Sequence, residues 1–190
     1  VGLDIGSLGR MLRPTGDMPV DEAYDMFREV MTAGREADFI AIETMTDLME
    51  IKTALLAAKE NTDLPVICTM SFEQNMRTFT GCSAAAMALT LSGLGADVIG
   101  MNCSLGPKEI FPMAKRLTEA LPGSFPVFVK PNAGLPELVD GKTVFRLPPE
   151  PFAEKTAAFV GMGLPCGPST GEAIRLPPGA PMFTLICIMG

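Results

Sequence analysis

The chain has 190 residues, 47% of them hydrophobic and 19% charged, with a net charge of −7. That is enough apolar material for one globular domain with its own core, and too acidic a balance for a nucleic-acid surface. No apolar run approaches the ~18 residues of a membrane span, no secretory signal opens the chain, and five cysteines without CxxC spacing make no disulfide framework. A reduced, cytoplasmic setting is expected. Histidine is absent, so any metal would rely on Cys, Asp, Glu or Asn.

In chain order, Val1 to Gly6 reads as a strand, and its position at the start of the chain leads us to expect further sequence upstream. Gly6-Ser7-Leu8-Gly9 lacks the GxGxxG of a dinucleotide loop. Val20, Ala23, Tyr24, Phe27, Val30 and Met31 lie on one face of a predicted helix, Val20 to Ala33, with Asp21 and Glu22 in its first turn. Phe39 to Ile42 is a short apolar strand closed by Glu43, and Thr44 or Thr46 is the expected cap of the next helix, Leu48 to Glu60. A strand from Pro65 to Met70 ends at Ser71. Ser83 caps a helix from Ala84 to Leu94. The strand Asp97 to Met101 leads to Cys103, and Pro107 opens a helix reaching Leu121, with a kink or restart expected at Pro112. Pro126 to Lys130 is the fifth strand. A Gly- and Pro-rich loop follows, then a helix from Pro151 to Val160.

The last four strands start near residues 38, 65, 97 and 126, at spacings of 27, 32 and 29. A near-constant strand–helix period with continuous apolar strands is the signature of a (β/α) barrel or a doubly wound parallel sheet. A full eight-unit barrel needs ~250 residues, so five units make part of one. Leu164 to Pro181 holds five prolines and three glycines and no periodic pattern. The expected division is a partial barrel over 1–163 and an irregular tail over 164–190, such as a frameshift or truncation would leave.

The polar residues closing the strands are Glu43, Ser71, Cys103 and Asn132, separated by 28, 32 and 29 residues. The matching period brings all four to the C-terminal rim, where barrel enzymes place their sites. Asp4 or Ser7 joins them from the first strand. Each has a plainer alternative. Glu43 could serve the dipole of the following helix, Asn132 a local turn, and Cys103 a small buried apolar role. Cys68 and Cys82 lack a metal-like spacing with Cys103 and read as structural, and the fourteen methionines read as core packing.

Four motifs in order then carry a family resemblance: Asp4-Ile5-Gly6-Ser7-Leu8-Gly9, Ile42-Glu43-Thr44-Met45-Thr46-Asp47, Met101-Asn102-Cys103-Ser104-Leu105-Gly106-Pro107 and Lys130-Pro131-Asn132-Ala133-Gly134-Leu135-Pro136. Over Val1 to Gly163 the chain resembles the homocysteine-binding domain family, in particular the homocysteine S-methyltransferase modules of cobalamin-dependent methionine synthases. The resemblance implies a (β/α)8 TIM barrel and methyl transfer to the zinc-bound thiolate of homocysteine, giving methionine. It implies Cys103 as a zinc ligand, Glu43 as the partner of the homocysteine amino group, and Asn132 beside the metal. Asp4 and Ser104 complete the expected substrate-binding set. Methylcobalamin is the implied donor, with cobalamin- and folate-binding modules as partners in the parent enzyme.

The zinc chemistry is coherent: three thiolates leave one tetrahedral position for the substrate sulfur, and the bound thiol loses its proton. The family's adjacent cysteine pair, Gly-Gly-Cys-Cys-Gly, is replaced here by Gly163-Leu164-Pro165-Cys166-Gly167, so Cys166 is the one candidate second ligand. Two rival readings follow, a pterin- or folate-binding methyltransferase barrel and a catalytically incompetent fragment.

Overall fold

A computed structural model of the chain describes residues 1–122 and 125–160. Five strands, β1 (Gly2–Ile5), β2 (Phe39–Met45), β3 (Val66–Met70), β4 (Val98–Asn102) and β5 (Val127–Lys130), pair in parallel in the order β1-β2-β3-β4-β5. Helices α1 (Val20–Ala33), α2 (Leu48–Asn61), α3 (Ala84–Gly93) and α4 (Pro107–Ala120) connect them, and α5 (Pro149–Val160) follows β5. A doubly wound sheet would reverse its strand order at a switch point. Strictly sequential parallel order is that of a (β/α)8 barrel, of which these are five consecutive strands. Among the described residues no helix is long and apolar enough to cross a membrane. The proposed boundary at 163/164 lies outside the described residues.

The strands separate two environments by their period of two. Ile40 and Ile42, Val66, Cys68 and Met70, Ile99 and Met101 face the helices and join one large buried cluster. On the opposite face Ile67, Val98 and Phe128 form a small second cluster with Phe39 against it. Lys130 on β5 reaches Glu43 on β2, two strands that are not neighbours in the sheet. The sheet therefore curves around this second face, which is the barrel lumen.

Local expectations fail in three places. The α2 cap is Asp47, whose carboxylate accepts the backbone N–H of Met49 and Glu50; Thr44 is unavailable because it sits in a left-handed bulge, at φ 60°. Helix α4 runs through Pro112 without a restart. The carbonyl that loses its donor, that of Lys108, belongs to an exposed residue, while Ile110, Met113, Ala114 and Leu117 pack the buried side along the whole helix. The loop after β5 contains a hairpin, β6 (Glu137–Val139) and β7 (Lys142–Val144), turned by Asp140 and Gly141 at φ 50° and 76°.

Candidate active site

The site begins with an irregularity in β2. Pairing with β3 shifts register between Ile42 and Met45, and Thr44 takes a left-handed conformation that is strained for a β-branched residue. One buried side chain holds it there. Asn102, the last residue of β4, is fully buried at 0% exposure. Its Oδ1 accepts the Thr44 N–H (3.0 Å) and the Thr69 hydroxyl (2.8 Å), and its Nδ2 donates to Thr44 Oγ1 (2.6 Å). Strain at Thr44 is thus offset by bonds from a neighbour two strands away.

The same amide aims at the sulfur of Cys103, the candidate metal ligand. Cys103 and Ser104 are both left-handed, at φ 60° and 59°. Asn102 Nδ2 lies 3.5 Å from Cys103 Sγ, and Thr44 Oγ1 lies 3.9 Å from it. Because Thr44 Oγ1 accepts from Asn102, its hydrogen is free to point at the sulfur. Two donors therefore converge on Cys103, an arrangement suited to a sulfur carrying negative charge.

The loops after β4 and β5 are knitted together by main-chain bonds. Cys103 N–H donates to the Lys130 carbonyl (3.1 Å), and Asn132 N–H donates to the Leu105 carbonyl (2.9 Å). Gly106 is needed at this seam: a Cβ there would lie 2.9 Å from the Gly134 Cα. Ser71 and Ser104 share a hydroxyl–hydroxyl hydrogen bond, which ties the end of β3 to the same loop.

Three charges occupy the lumen mouth. Lys130 Nζ donates to Glu43 Oε2 at 2.9 Å, with the two side chains 29% and 30% exposed. Asp4 on β1 feels both: burial first, then the Glu43 carboxylate, push its carboxyl above the ordinary range, while Lys130 and a backbone hydrogen bond at Ile5 oppose them.

The structure brings Asp4, Glu43, Cys103 and Ser104 to one rim, with Ser71. Asn132 reaches the rim through its backbone, its N–H donating to the Leu105 carbonyl and its carbonyl accepting the Gly134 N–H. Ser7 serves elsewhere, its hydroxyl bonded to the buried Glu50 carboxylate, which also takes the Leu8 N–H. Cys68 is wholly buried on the helix side, where burial pushes its thiol up, and Cys82 is half-buried and likewise raised by burial. Cys166 lies outside the described residues. Among the described residues no group of three or more His, Cys, Asp or Glu is placed to hold a metal. As a metal site the described residues therefore fit one corner, Cys103, and do not make a complete ligand set.

Thr44, Thr69, Asn102 and Lys130 are not among the site residues predicted from sequence. A signal existed for two of them. Asn102 and Lys130 are polar residues ending otherwise apolar strands, and such residues pair when buried. Thr44 carried no local sign of its left-handed backbone.

Residues 1–167 match the family described as homocysteine S-methyltransferase. The methionine synthases of Mycobacterium leprae (strain TN) and Mycobacterium tuberculosis (strain ATCC 25618 / H37Rv) are 32% and 33% identical over 129 residues, 65% of this chain. The chain spans only 10% and 11% of their lengths. Among solved structures, the apo homocysteine methyltransferase MmuM of Escherichia coli superposes with a TM-score of 0.59 at 18% identity, over 70% of this chain and 49% of that one. That likeness independently supports the barrel architecture. With a match that covers the whole of the strand–helix period, the chain belongs to the homocysteine S-methyltransferase family.

Proposed function

We propose that the chain is the homocysteine-binding part of a methionine synthase, and that its barrel mouth receives homocysteine for S-methylation. The observation that carries this reading is the pairing, at one rim, of a sulfur under two hydrogen-bond donors with a carboxylate-rich pocket, in a chain of this family. Glu43, with Asp4 beside it, takes the substrate ammonium. Ser104 borders the bound substrate, and Asn132 shapes the loop that closes over it. Cys103 would provide one thiolate to a zinc ion, with Cys166 as the candidate second ligand. Zinc bound there would favour the deprotonated, nucleophilic form of the substrate thiol.

This chain's own residues set the stage for the transfer. Asn102 and Thr44 orient Cys103, and Ile67, Val98 and Phe128 form an apolar floor on the lumen face beneath. In the reaction the homocysteine sulfur forms the new S–C bond to the methyl group. The bond between the methyl group and its donor breaks, and its electron pair stays with the donor. Methylcobalamin, supplied by a cobalamin module of the parent enzyme working in the cytoplasm beside a folate module, is the donor this reading entails. The match over residues 1–167 favours homocysteine over a pterin or folate as the barrel's ligand.

The test is the zinc content of the purified, reduced chain with and without homocysteine. The reading expects near-stoichiometric zinc that is lost in Cys103→Ala while circular dichroism stays unchanged. A folded chain that holds no zinc under either condition would be the incompetent fragment instead.

A further inference from the structure

The Glu43–Lys130 ion pair is a feature of the mouth that binding an ammonium does not explain. A site built for an amine alone needs the carboxylates and gains nothing from a cation seated among them. Lys130 neutralises half of the negative charge of Asp4 and Glu43 and takes up the very oxygen that an ammonium would use. Nor is Lys130 remote. Its backbone pairs in register with Asn102, and its carbonyl accepts the Cys103 N–H. Its backbone borders the Cys103 loop while its ammonium reaches Glu43.

We propose that Lys130 anchors the α-carboxylate of the substrate, so that the resting Glu43–Lys130 pair opens to admit a zwitterionic α-amino acid. The ammonium goes to Glu43 and Asp4, and the carboxylate to Lys130. Each charge then exchanges one partner for another of the same sign, and no charge is left unpaired in a part-buried site. Lysine suits the exchange because its ammonium is a point charge on a flexible stem that can leave one oxygen for another. The partial exposure of both side chains, 29% and 30%, leaves the pair open to a ligand entering from the mouth. The site thereby selects a thiol that carries both head-group charges. This inference rests on the homocysteine reading above and adds the carboxylate contact to it.

The experiment is calorimetric titration of the zinc-supplemented chain with three thiols: homocysteine, homocysteamine (no carboxylate) and γ-mercaptobutyrate (no ammonium). Wild-type chain should bind homocysteine more tightly than either analogue. Lys130→Gln should weaken homocysteine about 10-fold or more, as loss of a charged hydrogen bond does, and should bind homocysteamine as well as wild type does or better. Lys130→Arg should recover most of the homocysteine affinity. An equal loss for homocysteine and homocysteamine would show that Lys130 only orients Glu43 and would overturn the inference, as would no loss for homocysteine. If the wild-type chain binds no thiol, or does not distinguish homocysteine from γ-mercaptobutyrate, the homocysteine reading itself falls and the inference falls with it.

Discussion

The two faces of the sheet are made by the same strands and carry opposite chemistry. On the helix side, Ile42, Cys68, Ile99 and Met101 are all fully buried in one apolar cluster. On the lumen side the polarity changes along each strand within a few residues: Phe39 gives way to Glu43, Ile67 to Thr69, Val98 to Asn102 and Phe128 to Lys130. The apolar ends line the floor of the lumen face and the polar ends build the mouth. The two best described cysteines show what this does to one residue type. Cys68, on the helix side, is packing material whose thiol burial holds protonated. Cys103, at the mouth, is half-exposed with two donors aimed at its sulfur. Chemistry in this fold is decided by which face and which end of a strand a residue occupies.

The largest break in that arrangement is expected from Gly100→Ala, because it puts a side chain where the lumen has none. A Cβ at Gly100 would lie 1.9 Å from the Phe128 carbonyl oxygen and 2.7 Å from its carbon, both backbone atoms that cannot turn aside. β4 and β5 would have to separate, and we expect a loss of about 3 kcal/mol or more in urea unfolding. Asn102→Ala comes next. It leaves the buried Thr69 hydroxyl without its acceptor and the Thr44 N–H with the longer bond to Thr69 Oγ1 (3.4 Å), at a cost of about 2–3 kcal/mol, and loosens the strained Thr44 bulge. Zinc retention should fall together with stability in this variant. Unchanged stability would mean that Asn102 does not hold the bulge.

How much of this was legible follows from what each signal depends on. The helices and the five strands of the parallel sheet are legible because apolar periodicity reports packing against neighbours, and the predicted ends of α1 coincide with the observed ones. β2 runs three residues beyond its predicted end because Glu43 breaks the apolar run, although the lumen mouth accepts charge. The β6–β7 hairpin leaves a local sign that the apolar pattern alone does not report, Asp140-Gly141 between Leu138-Val139 and Thr143-Val144. The rim convergence of Glu43, Ser71 and Cys103 was visible as a matched spacing. The Asn102 hub was not, since its value lies in bonds to Thr44 and Thr69, 58 and 33 residues away.

A smaller effect separates the two faces by reactivity. Cys103 should be labelled by a thiol reagent in the native chain, Cys82 slowly, and Cys68 only on unfolding. Cys68→Ala should cost about 1–2 kcal/mol through lost packing and leave zinc content unchanged. Cys103→Ala should do the reverse. If native labelling reached Cys68 as fast as Cys103, the contrast between the faces would be lost.

The smallest effect concerns charge in the mouth. Asp4 titrates above its ordinary value of 3.8 in the folded chain because of burial and Glu43. The folded state therefore binds the Asp4 proton more tightly than the unfolded state does. Stability should fall as pH rises from the ordinary value through the raised one, and the penalty should be constant above it. Asp4→Asn should then gain slightly at neutral pH and gain nothing well below 3.8. The gain is small because Asp4 is exposed to solvent, which screens its neighbours. The sharper reading comes from NMR titration of the Asp4 carboxyl carbon. Glu43→Gln should bring its pKa down and Lys130→Gln should send it further up, since the two neighbours act with opposite sign. Movement in the same direction in both variants would mean that Asp4, Glu43 and Lys130 do not form one coupled set, and the lumen mouth would then be polar without being organised for a charged ligand.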